Sequence, residues 1–221
     1  MVLQNPFAVL KRDRIFKFDL LKLFAALLVI LDHTMTRWIP SIQTTQLYNF
    51  IFLTQMPLFM FIAGRLAFTK LRKITDGKSL LNVFLNNVFA LLIPFIVFSL
   101  IKSFVVNGFT IDALKYFGSC FEIPQNSVWF LWSLFWIENF FFIGCYFANK
   151  FLQKNESAKI GLCFGIIILL YFLCWLLYYF VGNKLDLYYI FFYSIFFTFG
   201  LFITYLLENL NIFPTIKGIF Y

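Results

Sequence analysis

The feature that most constrains this chain is a succession of six apolar runs, each about as long as a bilayer is thick. A membrane-spanning helix needs about 20 consecutive, largely apolar residues. Such runs fall at Phe18–Trp38, Leu47–Phe68, Leu80–Val106, Val128–Ala148, Ile160–Val181 and Leu187–Leu207. Hydrocarbon offers no water to backbone N–H and C=O groups, so each run must close its own hydrogen bonds as a helix. The expected fold class is all-α: a polytopic transmembrane helix bundle of about six spanning helices, forming a single integral-membrane domain over residues 1–221. Composition agrees, because 62% of the residues are hydrophobic and only 13% are charged, far from the balance of a water-soluble domain.

The formal net charge of +8 would suggest nucleic acid in a soluble protein. Here, however, Lys and Arg gather in short connections between apolar runs, where they set orientation in the membrane. Alternate connections hold Lys11, Arg12, Arg14 and Lys17, then Arg65, Lys70, Arg72, Lys73 and Lys78, then Lys150, Lys154 and Lys159, and finally Lys217. The opposite side has only Arg37, Lys115 and Lys184 in its connections. That asymmetry predicts both termini in the cytoplasm, with membrane lipid as a partner and no nucleic acid. The first run has no small-residue cleavage site after it and carries charges of its own, so it reads as a retained helix.

Cys120, Cys145, Cys163 and Cys174 form no Cys-x-x-Cys pair and lie mostly inside apolar runs. Neither a disulfide framework nor a metal site is indicated. The stretch from Asn107 to Ser127 carries Gly108, Gly118, Pro124 and the polar run Gln125-Asn126-Ser127, which predicts an outer loop. Trp129 and Trp132 follow it and are expected at the outer interface, where indole is favoured. Pro57 and Pro94 are expected to kink the second and third helices.

Polar groups inside the spans are the informative minority, since a charge at the bilayer centre costs about 2.5–3.5 kcal/mol on insertion scales. The first run holds Asp19, Lys22, Asp32 and His33, the one histidine of the chain. At 100° per residue Lys22 and His33 fall almost in phase, about 16 Å apart along the helix axis. Asp19, Ala26 and Val29 share their stripe, and small Ala26 leaves room between the charged ends. Asp32 points about 100° away from His33 and is not an obvious partner for the imidazole.

Two readings compete for these residues. Asp19 and Lys22 can pair or snorkel at the helix end, and His33 can be a satisfied structural histidine. Alternatively, the stripe lines a functional path. Glu138 and Asn139, deep in the fourth run, are either partners for Lys22 or His33 or interhelical glue. Lys102, near the outer end of its run, can snorkel. The cluster Arg65, Lys70, Arg72, Lys73 and Lys78 suits anionic headgroups or a phosphate-bearing ligand from the cytoplasm.

Several of these residues stand in a recognisable order. Phe18-Asp19-x-x-Lys22, ten residues and His33 resemble the Arg-or-Lys, ten residues, His signature of the integral-membrane acyltransferase family 3, close to its fucose-4-O-acetylase-like branch. Gln55-Met56-Pro57-Leu58-Phe59-Met60-Phe61-Ile62-Ala63-Gly64 is similar to its His-Met-Pro-Leu-Phe-x-Phe-x-Ser-Gly element. Leu91-Leu92-Ile93-Pro94-Phe95 and Trp129-Phe130-Leu131 are further matches. The departures are Gln55 for histidine, Ala63 for serine, and Asn86-Asn87 where basic residues often precede the Ile-Pro turn.

The resemblance implies a membrane O-acyltransferase of the bacterial inner membrane. Its donor would be a cytoplasmic acyl-CoA, commonly acetyl-CoA, and its acceptor a hydroxyl of a cell-surface glycan or its precursor, with no metal. It implies His33, Lys22 and Asp19 as catalytic residues, Arg65, Lys70, Arg72 and Lys73 as the site for acyl-CoA phosphates, and Glu138 as an intramembrane partner. The family usually has more spanning helices than the six read here, so the domain is expected to be incomplete at its C-terminus. The competing functions are a component that exports a glycan or lipid-linked sugar and an inactive fragment of the acyltransferase.

Overall fold

A computed structural model describes residues 16–39, 45–68, 70, 74, 76–151, 156–182 and 184–209. Among them the chain is helical, with no strand. The helices are α1 (Phe16–Trp38), α2 (Gln46–Phe68), α3 (Gly77–Asn87), α4 (Ile93–Asn107), α5 (Ile111–Glu122), α6 (Trp129–Phe151), α7 (Glu156–Val181) and α8 (Leu187–Asn209). Five stretches are long and apolar enough to cross a membrane: Gln46–Phe68, Gly77–Asn107, Trp129–Phe151, Gly161–Val181 and Lys184–Leu206. Helix α1, with 23 residues, has the length to span as well, but Asp19, Lys22, Asp32 and Arg37 set it apart from the five. The six runs of the sequence thus become five apolar spans and one charged helix of spanning length.

The third run is divided. α3 and α4 are joined by a π-helical turn over Val88–Leu92, where the sequence predicts one helix kinked at Pro94. The Pro94 ring would collide with the carbonyl of Ala90, four residues back, in a regular α-helix. The wider π turn contains that carbonyl and accommodates the ring. α3 begins at a capping box: the Ser79 amide donates to Asp76 Oδ1 at 2.8 Å, and the Asp76 amide donates to Ser79 Oγ at 3.1 Å. The Ser79 amide holds the Asp76 carboxyl below its ordinary pKa. Pro57, by contrast, leaves α2 continuous.

The predicted outer loop is largely helical, because α5 occupies Ile111–Glu122. Its glycines and proline misled the reading. Gly108 ends α4 with φ +63°, Pro124 opens a 3₁₀ turn, and Gly118 is simply tolerated within the helix. Ala113 and Cys120 are its buried residues, and the helix packs against α4. Trp132 is buried. Leu185 and Asp186, between α7 and α8, both take φ 57°. The turn aims the Leu185 carbonyl at the bundle, where the Trp132 indole donates to it at 3.0 Å. Lys184 meets Glu122 at 2.6 Å across the same end. The Trp129 ring packs at a tilt against Tyr189 and Tyr193.

The most extensive helix pair is α2 with α8. A Cβ on Gly64 would collide with the Phe197 carbonyl, and one on Gly200 with the Phe61 carbonyl. The two backbones therefore meet through reciprocal glycines, the device that lets membrane helices gain dispersion contacts without a hydrophobic driving force. Met60, Ile137, Phe141, Phe142, Ile167 and Phe197 fill the interior between α2, α6, α7 and α8. All four cysteines are free and buried, and the Cys145 and Cys163 sulfurs touch at 3.3 Å where α6 crosses α7.

Overpacking a close helix contact costs about 1–3 kcal/mol. Gly64→Ala and Gly200→Ala should therefore each lower the unfolding temperature in detergent. Gly118→Ala, with open space around its position, should stay within about 0.5 kcal/mol of the parent. Parental stability of Gly200→Ala would contradict the close α2/α8 approach.

Candidate functional site

Helix α1 presents Ala25, Leu28 and Asp32 as its buried stripe, three residues at helical spacing, and its extensive packing is with α2. Within this contact Gln55 Nε2 donates to Asp32 Oδ2 at 2.9 Å. Asp32 is 7% exposed and Gln55 2%, so the bond is shielded from solvent. The second Asp32 oxygen and the Gln55 carbonyl oxygen have no hydrogen-bond partner. A single amide–carboxylate contact thus fixes the rotation of α1 on α2. Gln55, one of the positions where the sequence departs from the pattern it resembles, supplies the donor.

With Asp32 turned towards α2, His33 lies about 100° further round α1 and is exposed. Among the described residues it makes no hydrogen bond. Asp19 is exposed, and Lys22, Ala26 and Val29 are half-buried. The stripe predicted from the sequence therefore runs along the edge of the α1/α2 contact, facing a side of α1 that α2 leaves uncovered.

A second polar cluster lies deeper in the bundle. After α2 the chain turns back inward: Ile74 is fully buried, and its carbonyl accepts from Asn149 Nδ2 at 2.6 Å. Lys70 follows the same course, with Nζ 3.8 Å from Glu138 Oε2 and 5.3 Å from the centroid of the Phe142 ring. Lys22 from α1 and Asn87 from α3 act on the same Glu138 carboxylate. Asn87 is 4% exposed, and its Nδ2 lacks a closed hydrogen bond.

The expected residues are thus distributed unevenly. Lys70 and Glu138 are brought together, and Lys22 lies near enough to act on that carboxylate electrostatically. His33 makes no contact with this cluster. Arg65 is buried on the α2 turn that meets Gly200 of α8, rather than in a cytoplasmic connection. Arg72 and Lys73 lie outside the described residues. Sequence reasoning missed the Asp32–Gln55 bond and the role of Asn87. The available signal was an amide inside an apolar run at each position. Between α3 and α6 lies a groove of about 360 Å³, apolar but for Asn139 and lined by Leu80, Phe84, Trp136 and Phe140 among others; it has the chemistry to take hydrocarbon. No group of three or more His, Cys, Asp or Glu side chains among the described residues is placed to hold a metal ion.

Five apolar spans enclosing a few buried polar and ionisable side chains define a multi-pass membrane protein. More particularly, the chain belongs to the Acyl_transf_3 family of acyltransferase domains, whose model matches residues 15–220, and it is accordingly a membrane acyltransferase. No curated protein and no solved structure matches it.

Removing one partner from a buried polar pair costs about 1–3 kcal/mol, and more when a charge is left behind, whereas replacing both by apolar groups can be nearly neutral. Gln55→Leu should therefore destabilise the protein by at least that amount in detergent unfolding, and Asp32→Leu/Gln55→Leu should recover most of the loss. Additive losses in the double variant would mean that the two side chains are not coupled.

Proposed function

We propose that this acyltransferase moves an acyl group, acetyl in the simplest case, from acyl-CoA at the cytoplasmic face to a hydroxyl of a cell-surface glycan or its precursor. The observation that carries the reading is the placement of Lys22 and His33, in phase and about 16 Å apart, on the side of α1 not covered by α2. The two residues are too far apart to act on one carbonyl, so they mark the two ends of a path. The inner cluster of Lys22, Lys70 and Asn87 receives the anionic part of the donor, and the acyl end extends towards His33. The acceptor arrives from the outer face. Asp19, one turn from Lys22, helps hold that ammonium in place.

The chemistry asked of His33 is proton abstraction. An alcohol is a weak nucleophile at neutral pH, and an unprotonated imidazole is the side chain suited to taking its proton there. As the proton passes to the imidazole, the acceptor oxygen attacks the thioester carbonyl. The tetrahedral intermediate then collapses, the C–S bond breaks, and the proton returns to the departing CoA thiolate. Membership of the acyltransferase family supports the group transfer. The basic asymmetry of the connections supports a cytoplasmic donor. The groove between α3 and α6 offers hydrocarbon a place beside the inner cluster.

A positioned general base is typically worth 10²–10⁴-fold. His33→Ala should therefore reduce acyl transfer by at least about 10²-fold while expression and insertion persist, because losing an imidazole eases passage into lipid. His33→Gln keeps hydrogen-bonding capacity without accepting the proton and should be nearly as inactive. Lys22→Arg should be tolerated better than Lys22→Ala. Activity of His33→Gln within a few fold of the parent, measured by transfer of labelled acetyl to the glycan acceptor, would contradict proton abstraction by His33.

A further inference from the structure

Three parts of the fold converge on a carboxylate carried by a fourth. Lys70 comes from the segment that turns inward after α2, Lys22 from α1, Asn87 from α3, and Glu138 itself from α6. Glu138 balances one ammonium and Asp19 lies one turn from the other, yet the two ammonium groups and Asn87 Nδ2, which closes no hydrogen bond, offer more N–H donors than one carboxylate accepts. An excess of donors suits neither a cation nor hydrocarbon and is the complement of an oxyanion. A buried amide donor that closes no hydrogen bond is costly, and an incoming phosphate oxygen relieves that cost. Lys70 stands 3.8 Å from Glu138, longer than the roughly 2.7–2.9 Å of a closed charge-assisted hydrogen bond. The carboxylate therefore holds the ammonium nearby and leaves its protons free to turn to a ligand.

We propose that Glu138 is a positioning residue for the acyl donor: its carboxylate gathers Lys70 and Lys22 beside Asn87 so that the three present N–H donors to a phosphate of that donor. The assignment rests on the acyl-CoA reading above. It also has a distinctive sign. Simple electrostatics makes a carboxylate near a phosphate site unfavourable, so deleting its charge should tighten anion binding. If Glu138 acts by holding two flexible lysine side chains in place, deleting its charge should weaken binding instead, because their rotamer freedom must then be lost on binding.

The test is calorimetric titration of CoA into the full chain in nanodiscs of zwitterionic lipid. Glu138→Gln is expected to bind CoA at least about tenfold more weakly than the parent. Glu138→Asp keeps the charge and withdraws the carboxylate by one methylene, and it is expected to be several-fold weaker. Equal or tighter CoA binding by Glu138→Gln, with the parent binding normally, overturns the positioning role alone. Should Glu138→Gln fail to fold, unchanged affinity in Glu138→Asp overturns it equally. A parent that binds no CoA overturns the acyl-CoA reading itself. The same phosphate chemistry is present in lipid headgroups, so the titration is repeated with phosphatidylglycerol in the discs. Loss of CoA affinity in the parent but not in Glu138→Gln would assign the cluster to a headgroup and overturn the donor assignment.

Discussion

A bilayer gives a buried polar group no water to fall back on, and the structure is organised around that constraint. Three acidic side chains carried into the bundle are each met by another element of the chain. Asp32 on α1 is met by Gln55 on α2, and Glu138 on α6 by Lys70 from the segment after α2. Asp186, fully buried between α7 and α8, is approached by Gln125 at 3.4 Å. These contacts link helices that the apolar surface alone would leave free to rotate, since Leu and Phe side chains gain little by choosing a helix over lipid. Polar pairing sets the register, and close packing supplies the adhesion.

The adhesion is unequal across the molecule. α2 and α8 meet through glycines with their backbones in contact, and α6 and α7 pack beside them around a fully buried aromatic and aliphatic interior. α1 is the exception. It packs on α2, exposes Leu20, Leu23, Phe24, Leu27 and Ile30 on its other sides, and depends on the Asp32–Gln55 bond for its rotational setting. The helix that carries Lys22 and His33 is thus attached to a rigid frame along one edge, with the stripe of those two residues beside that edge. Such an arrangement leaves a substrate room to lie along α1 without prising apart the bundle.

The helices themselves were legible because long apolar runs have few alternatives. Leu47–Phe68 and Gln46–Phe68 differ by one residue, and the fourth run was misplaced by only a few residues at either end of α6. Features that depend on local backbone chemistry were harder. Gly118 and Pro124 looked like loop punctuation but permit α5, and the demand of Pro94 on Ala90 is met by a π turn rather than a simple kink. The indole of Trp132 finds its acceptor in the Leu185 carbonyl, 53 residues away in the chain, a pairing that periodicity does not reveal. In the site, the phase of Lys22 and His33 follows from helical periodicity alone. The bond between Asp32 and Gln55 depends on which helices are neighbours. The approach of Lys70 to Glu138 joins residues 68 positions apart, and an excess of basic residues in a connection says nothing of where each one points.

The central claim is that the donor lies along α1 with its acyl end at His33, and photo-crosslinking reads this directly. An acyl-CoA carrying a diazirine in its acyl chain would be irradiated with the membrane-embedded protein, and the labelled residues located by peptide mass spectrometry. The account predicts label on α1 between Val29 and His33, abolished by excess CoA. Label that CoA does not displace, or label confined to α7 and α8, would contradict it.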